Sequence, residues 1–85
     1  MVNIDKDLIQ NGIRNFDEKQ LIVTIEELSE LTKELTKDLR GKENIDNIIE
    51  ELADVVICCE TVKQYFYIND EDIQKVVDTK LERLR

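Results

Sequence analysis

Two short acidic motifs carry the chemistry open to this chain: Glu27-Leu28-Ser29-Glu30 and Glu51-Leu52-Ala53-Asp54. Each sets two carboxylates three residues apart, so on a helix each pair projects from one face. Four convergent carboxylates, in a chain without histidine, form a hard oxygen ligand set of the kind that holds Mg²⁺. The alternative is a solvated surface. With 38% of the residues charged, a run of acids on a helix is often no more than that.

Three details favour a site. The first is phase. At about 100° per residue, Val23, Glu27, Glu30 and Glu34 form one helical stripe, and Asn47, Glu51, Asp54, Cys58, Thr61 and Tyr65 form another. Neither stripe holds a lysine or arginine, whereas a face built for solubility mixes both signs. The second is cost. Glu26/Glu30, Glu30/Glu34 and Glu50/Asp54 are like-charge pairs at i,i+4, each unfavourable by roughly 0.2–0.5 kcal/mol. A bound dication would turn that repulsion into attraction. The third is position. Glu51 borders an apolar arc and Asp54 lies in the most apolar stretch of the chain. A carboxylate there needs a partner or a shifted pKa.

Four helices must position these groups. The periodicity predicts a short helix over residues 5–14, with Ile4, Leu8, Ile9 and Ile13 on its apolar side. Asn15 or Asp17 then caps a second helix over 17–40. Its apolar positions are Leu21, Ile25, Leu28, Leu35 and Leu39, with Thr32 in the missing step. That spacing is a bundle seam, and Gly41 stops the helix. A third helix is expected from Asn44 or Ile45 to Phe66, apolar at Ile45, Ile48, Ile49, Leu52, Val55, Val56, Cys59, Val62 and Phe66. It is apolar nearly all round from Leu52 to Cys59, which calls for cover on two sides. Asn69 or Asp70 caps a last helix over 70–85, striped by Ile73, Val76, Val77, Leu81 and Leu84.

The 85 residues make one domain, residues 1–85, with no proline and only Gly12 and Gly41. Such a composition favours helix throughout. A core this small argues for oligomerisation. The net charge of −8 repels nucleic acid and anionic membranes. It repels a free nucleotide as well, so a phosphate ligand must arrive with a metal or meet local cations. Cys58 and Cys59 point about 100° apart on a helix and cannot bridge each other. They read as small buried residues of a reduced, cytoplasmic protein. Without histidine or a C-x-x-C spacing they form no zinc site. No signal peptide or membrane-spanning run is evident.

The motifs Glu26-Glu27-Leu28-Ser29-Glu30 and Glu50-Glu51-Leu52-Ala53-Asp54, on two long helices with this spacer, resemble the MazG-like family of all-α nucleoside triphosphate pyrophosphohydrolases, closest to its short single-domain bacterial and phage members. The resemblance runs from about Leu21 to Arg83. It implies Mg²⁺-dependent hydrolysis (Mn²⁺ as substitute) of a nucleoside triphosphate to the monophosphate and pyrophosphate, by water attack at the α-phosphorus. It implies Glu27, Glu30, Glu51 and Asp54 as metal ligands. Glu26 and Glu50 take the extra acidic positions, either of them suited to orient or deprotonate the water. Lys80 and Arg83 would bind phosphate oxygens. Two features depart from the family pattern. There is no tryptophan, Phe16 being the nearest aromatic, and Asp78 and Glu82 flank Lys80 where relatives carry asparagine.

The expected architecture is therefore an all-α bundle of three long helices and a short one, completed as a homodimer or homotetramer, with base and phosphate contacts partly from the neighbour. Two rivals remain. One is a related all-α enzyme acting on deoxyuridine triphosphate or phosphoribosyl-ATP. The other is a non-catalytic helical interaction module.

Overall fold

Gly41 takes φ +87° at the end of one long helix, a conformation open to glycine and costly for other residues. The N–H of Gly41 donates to the Asp38 carbonyl (2.9 Å) and that of Lys42 to the Lys37 carbonyl (3.2 Å). These are the two bonds of a Schellman stop. The turn folds the chain into an antiparallel hairpin of α2 (Lys19–Leu39) and α3 (Ile45–Tyr65). The computed structural model describes residues 2–85. In them, α1 (Lys6–Phe16) packs against both helices of the hairpin and α4 (Asp70–Glu82) follows it.

The other helix ends also obey local chemistry. Asp5 caps α1, its carboxylate accepting from the N–H groups of Asp7 and Leu8. Asn69 caps α4 through the Asp72 N–H. Two glutamine amides tie α1 down. Gln64 Nε2 donates to the Lys6 carbonyl and Gln20 Nε2 reaches the Gly12 carbonyl. The expected cap of α2 differs. Asn15 remains inside α1, Asp17 turns to φ 48° at its end, and Glu18 precedes α2 without a side-chain cap. The first helix thus runs two residues beyond Arg14.

The hairpin's inner faces are not the ones expected from apolar spacing. The most covered positions of α2 are Thr24 and Glu34, and those of α3 are Cys58 and Thr61. Meanwhile Ile25, Leu28, Leu35 and Leu39 of α2 are exposed, as are Ile45, Ile49, Leu52 and Phe66 around α3. Cys58 is the sole buried apolar residue among those described. Cys59, expected inside, is exposed.

Among the described residues, α4 packs against no other helix. Its first residue, Asp70, is held by Lys63 at 2.6 Å and by Lys6 at 3.7 Å. Beyond that, Ile73, Val76, Val77, Leu81 and Leu84 stand open. The chain exposes 7081 Å², where a compact protein of its 10.0 kDa would expose about 5,200 Å². Its radius of gyration is 14.9 Å, against about 12 Å for a compact domain of this length. No helix among the described residues is long and apolar enough to cross a membrane.

Candidate metal centre

The polar inner face of the hairpin brings acids from two helices together. Glu27 comes from α2, and Glu51 and Asp54 from α3. One carboxylate oxygen of each lies within 4.8 Å of the others, and all three residues are half-buried. Oxygens about 2.1 Å from one Mg²⁺ lie no more than about 4.2 Å apart. The trio is gathered closely enough to be candidate ligands of one such ion.

Among the described residues no salt bridge reaches Glu27, Glu51 or Asp54. Glu51 Oε2 is buried and has no hydrogen-bond partner, a costly state for a carboxylate oxygen. Partial burial raises the pKa of Glu27 first, followed by the bond its protonated form would donate to Asp54 and the charges of Asp54 and Glu51. Burial also leads the rise at Glu51, with the charges of Asp54 and Glu30 adding to it and a hydrogen bond with Glu27 opposing it. Glu27 and Glu51 thus favour a proton, and the trio a hard cation, the two things that relieve crowded carboxylates.

The remaining sequence candidates fall around this centre at different distances. Glu30 is exposed and lies outside the converging trio, although its charge is felt at Glu51. Glu26 and Glu50 are exposed on the flanks. Lys80 and Arg83 share one side of α4, which lies against neither α2 nor α3, so a single chain does not bring them to the acids. Phe16 is 56% exposed. Tyr65 stacks edge-on against Phe66 at 5.0 Å, while Tyr67 points into solvent.

Apolar spacing did not single out some neighbours of the centre. The Cys58 thiol, held neutral mainly by burial, packs beside Thr24 and feels the charges of Glu27 and Asp54. Beyond them a groove is lined by Leu8, Ile9, Gly12, Gln20, Ile57 and Thr61. Gln20 and Thr24 precede Glu27 by seven and three residues, so they extend its stripe. That spacing was the available signal.

No protein-family model, no curated protein and no solved structure matches this chain.

Proposed function

We propose that this chain is a Mg²⁺-dependent nucleoside triphosphate pyrophosphohydrolase of the all-α, MazG-like kind. The observation that carries the proposal is the approach of Glu27, Glu51 and Asp54 from two helices, with no salt bridge to them among the described residues. The motif pair Glu27/Glu30 and Glu51/Asp54 supports it. In this reading Glu27, Glu51 and Asp54 hold the ion, with Glu30 joining from the rim. Glu26 or Glu50 orients the attacking water and takes its proton. A bound Mg²⁺ would supply the positive charge that brings the triphosphate to an acidic surface, stabilises the leaving pyrophosphate and lowers the pKa of water.

The same reading makes the protein a homodimer, or a tetramer of two dimers. The chain exposes about 1,900 Å² more than a compact protein of its mass, and permanent complexes bury 2,000–5,000 Å² or more in total. The uncovered apolar stripes of α2, α3 and α4 are what a second copy would cover. A neighbour's α4 would then bring Lys80 and Arg83 to the phosphates, Arg83 as a bidentate fork.

The test is pyrophosphate release from a panel of standard and modified nucleoside triphosphates, deoxyuridine triphosphate and phosphoribosyl-ATP, with Mg²⁺ or Mn²⁺. Release from at least one, abolished in Glu51→Gln, is expected. Release from none, with the metal bound, would leave the interaction module as the better account. Its motivation is the same open apolar surface.

A further inference from the structure

We propose that Glu34 and Asn44 are positioning residues for the acidic centre: they clamp the register of α2 against α3 so that Glu27 stands level with Glu51. The proposal rests on the reading of Glu27, Glu51 and Asp54 as a metal centre.

The geometry of the clamp is specific. Asn44 Nδ2 donates to Glu34 Oε2 at 2.7 Å and to the Glu34 carbonyl at 2.9 Å. Lys37 Nζ donates to the other carboxylate oxygen at 3.3 Å. Glu34 is 7% exposed, so this is a covered, charge-assisted contact of the stronger kind. Among the described residues, the only other side-chain polar links between α2 and α3 or its cap are the Thr24 hydroxyl beside the Cys58 sulfur and the acids themselves. The rest of the α2–α3 contact is aliphatic side chains, the Cys58 thiol against Thr24, and the acids themselves. Aliphatic packing tolerates sliding, and like charges push the helices apart. A polar clamp resists both.

Its position in the chain is what ties it to the centre. Glu34 follows Glu27 by seven residues and Asn44 precedes Glu51 by seven. In an antiparallel hairpin, equal offsets bring two pairs level. Two helical turns, about 10.5 Å, separate the clamp from the acids on both helices. Joining Glu34 to Asn44 therefore fixes which residue of α3 faces Glu27.

Asn44 forgoes other bonds to do this. It occupies the cap position of α3, yet its side chain makes no capping bond there, a contact ordinarily worth about 1 kcal/mol. Its Oδ1 is buried without a partner. A residue selected only to start a helix would turn that oxygen to the open N–H groups.

The experiment is Mn²⁺ binding measured by calorimetry on the full chain, alongside thermal melting. Asn44→Asp sets two carboxylates face to face, and Asn44→Ser is too short to reach Glu34. Each is expected to weaken Mn²⁺ binding at least about tenfold, the scale seen when a ligand's support is removed. Glu34→Gln combined with Asn44→Asp restores the side-chain bond but not the one to the Glu34 carbonyl, and should recover part of that loss. Lys63→Ala, which cuts the distant Glu60–Lys63–Asp70 network, should lower the melting temperature and leave Mn²⁺ affinity unchanged. Wild-type affinity in Asn44→Asp and Asn44→Ser would overturn the clamp while leaving the metal centre standing. Failure of both to fold would also overturn it, since the pair would then hold the hairpin itself. Absence of Mn²⁺ binding by the wild-type chain would overturn the clamp and the metal centre together.

Discussion

Glu27 and Asp54 approach one another from different helices, their carboxylates close enough to perturb each other and with no lysine or arginine bridging them. In a chain of net charge −8, this is an unfavourable arrangement that folding alone does not require. Glu34, Glu60 and Asp70, by contrast, each have a nitrogen donor from a lysine or asparagine. The difference between the two groups of acids generates the predictions below.

The first concerns pH. Glu27 and Glu51 titrate above their ordinary 4.5, so the folded, metal-free chain binds protons more tightly than the unfolded chain. Their effect makes stability fall as pH rises from about 4.5 through the raised values. The Asn44 and Lys37 bonds lower the pKa of Glu34, with burial opposing them. At Glu60 burial raises the pKa, but the Lys63 and Gln64 bonds outweigh it. Lys63 also lowers Asp70. The stabilisation from these three is present above their ordinary values and is lost only in stronger acid, as pH falls through the lowered ones. Metal-free melting should therefore show a maximum in the acid range, near the ordinary carboxylate values, rather than at neutrality. Replacing Glu27 by Gln should flatten the decline between that maximum and pH 7. A melting temperature that climbs steadily to pH 7 in the wild type would contradict this.

The second concerns metal and charge together. Mg²⁺ at a hundredfold excess over its dissociation constant should add about 2.7 kcal/mol of stability. Glu27→Gln and Asp54→Asn should each raise metal-free stability, erase that gain and abolish most of the activity. Differential scanning fluorimetry with and without millimolar Mg²⁺ checks the stabilities. A gain that survives in both variants would place the ion elsewhere.

The third concerns the neighbour. If Lys80 acts across a dimer, Asp54→Asn and Lys80→Ala chains are each inactive alone. Unfolded together and refolded as an equal mixture, they should recover about a quarter of wild-type activity. Half of the dimers would be mixed, and each of these would hold one intact site. No recovery in the mixture, with dimers shown by sedimentation, would argue against a site shared between chains.

The fourth concerns the turn into α4. Tyr67 sits at φ 55° with 94% of its surface exposed, in the stop position where glycine is the usual residue. Tyr67→Gly should raise stability by about 1 kcal/mol and leave activity unchanged, as read by chemical denaturation. A loss of stability would mean that the ring makes contacts in the assembly.

The four helices were legible because their ends are local: the Gly41 stop and the Asn69 cap act through the backbone within a few residues, whereas the periodicity puts Asp5 inside the helix that it caps. The acids were legible for the same reason, since Glu27, and Glu51 with Asp54, fall on stripes without lysine or arginine. The seam was not. The run Leu21, Ile25, Leu28, Leu35 and Leu39 read as a bundle seam, yet in the chain all of it but the half-buried Leu21 is exposed, while Thr24 and Glu34 turn inward. Periodicity reports that a face is to be covered, not by what. Asn44 was read as a helix start, and its bond to Glu34, ten residues away, lies beyond any local rule. Asn15 and Asp17 were equally good caps by residue type, and the two further residues of α1 carried the helix past the first of them.

The most direct measurement is the anomalous diffraction of a crystal soaked in Mn²⁺ with a non-hydrolysable nucleoside triphosphate. The account predicts a metal peak bound by oxygens of Glu27, Glu51 and Asp54, with the α-phosphate beside it. Saturating Mn²⁺ that leaves these three carboxylates without a peak, and the nucleotide bound elsewhere or not at all, would contradict it.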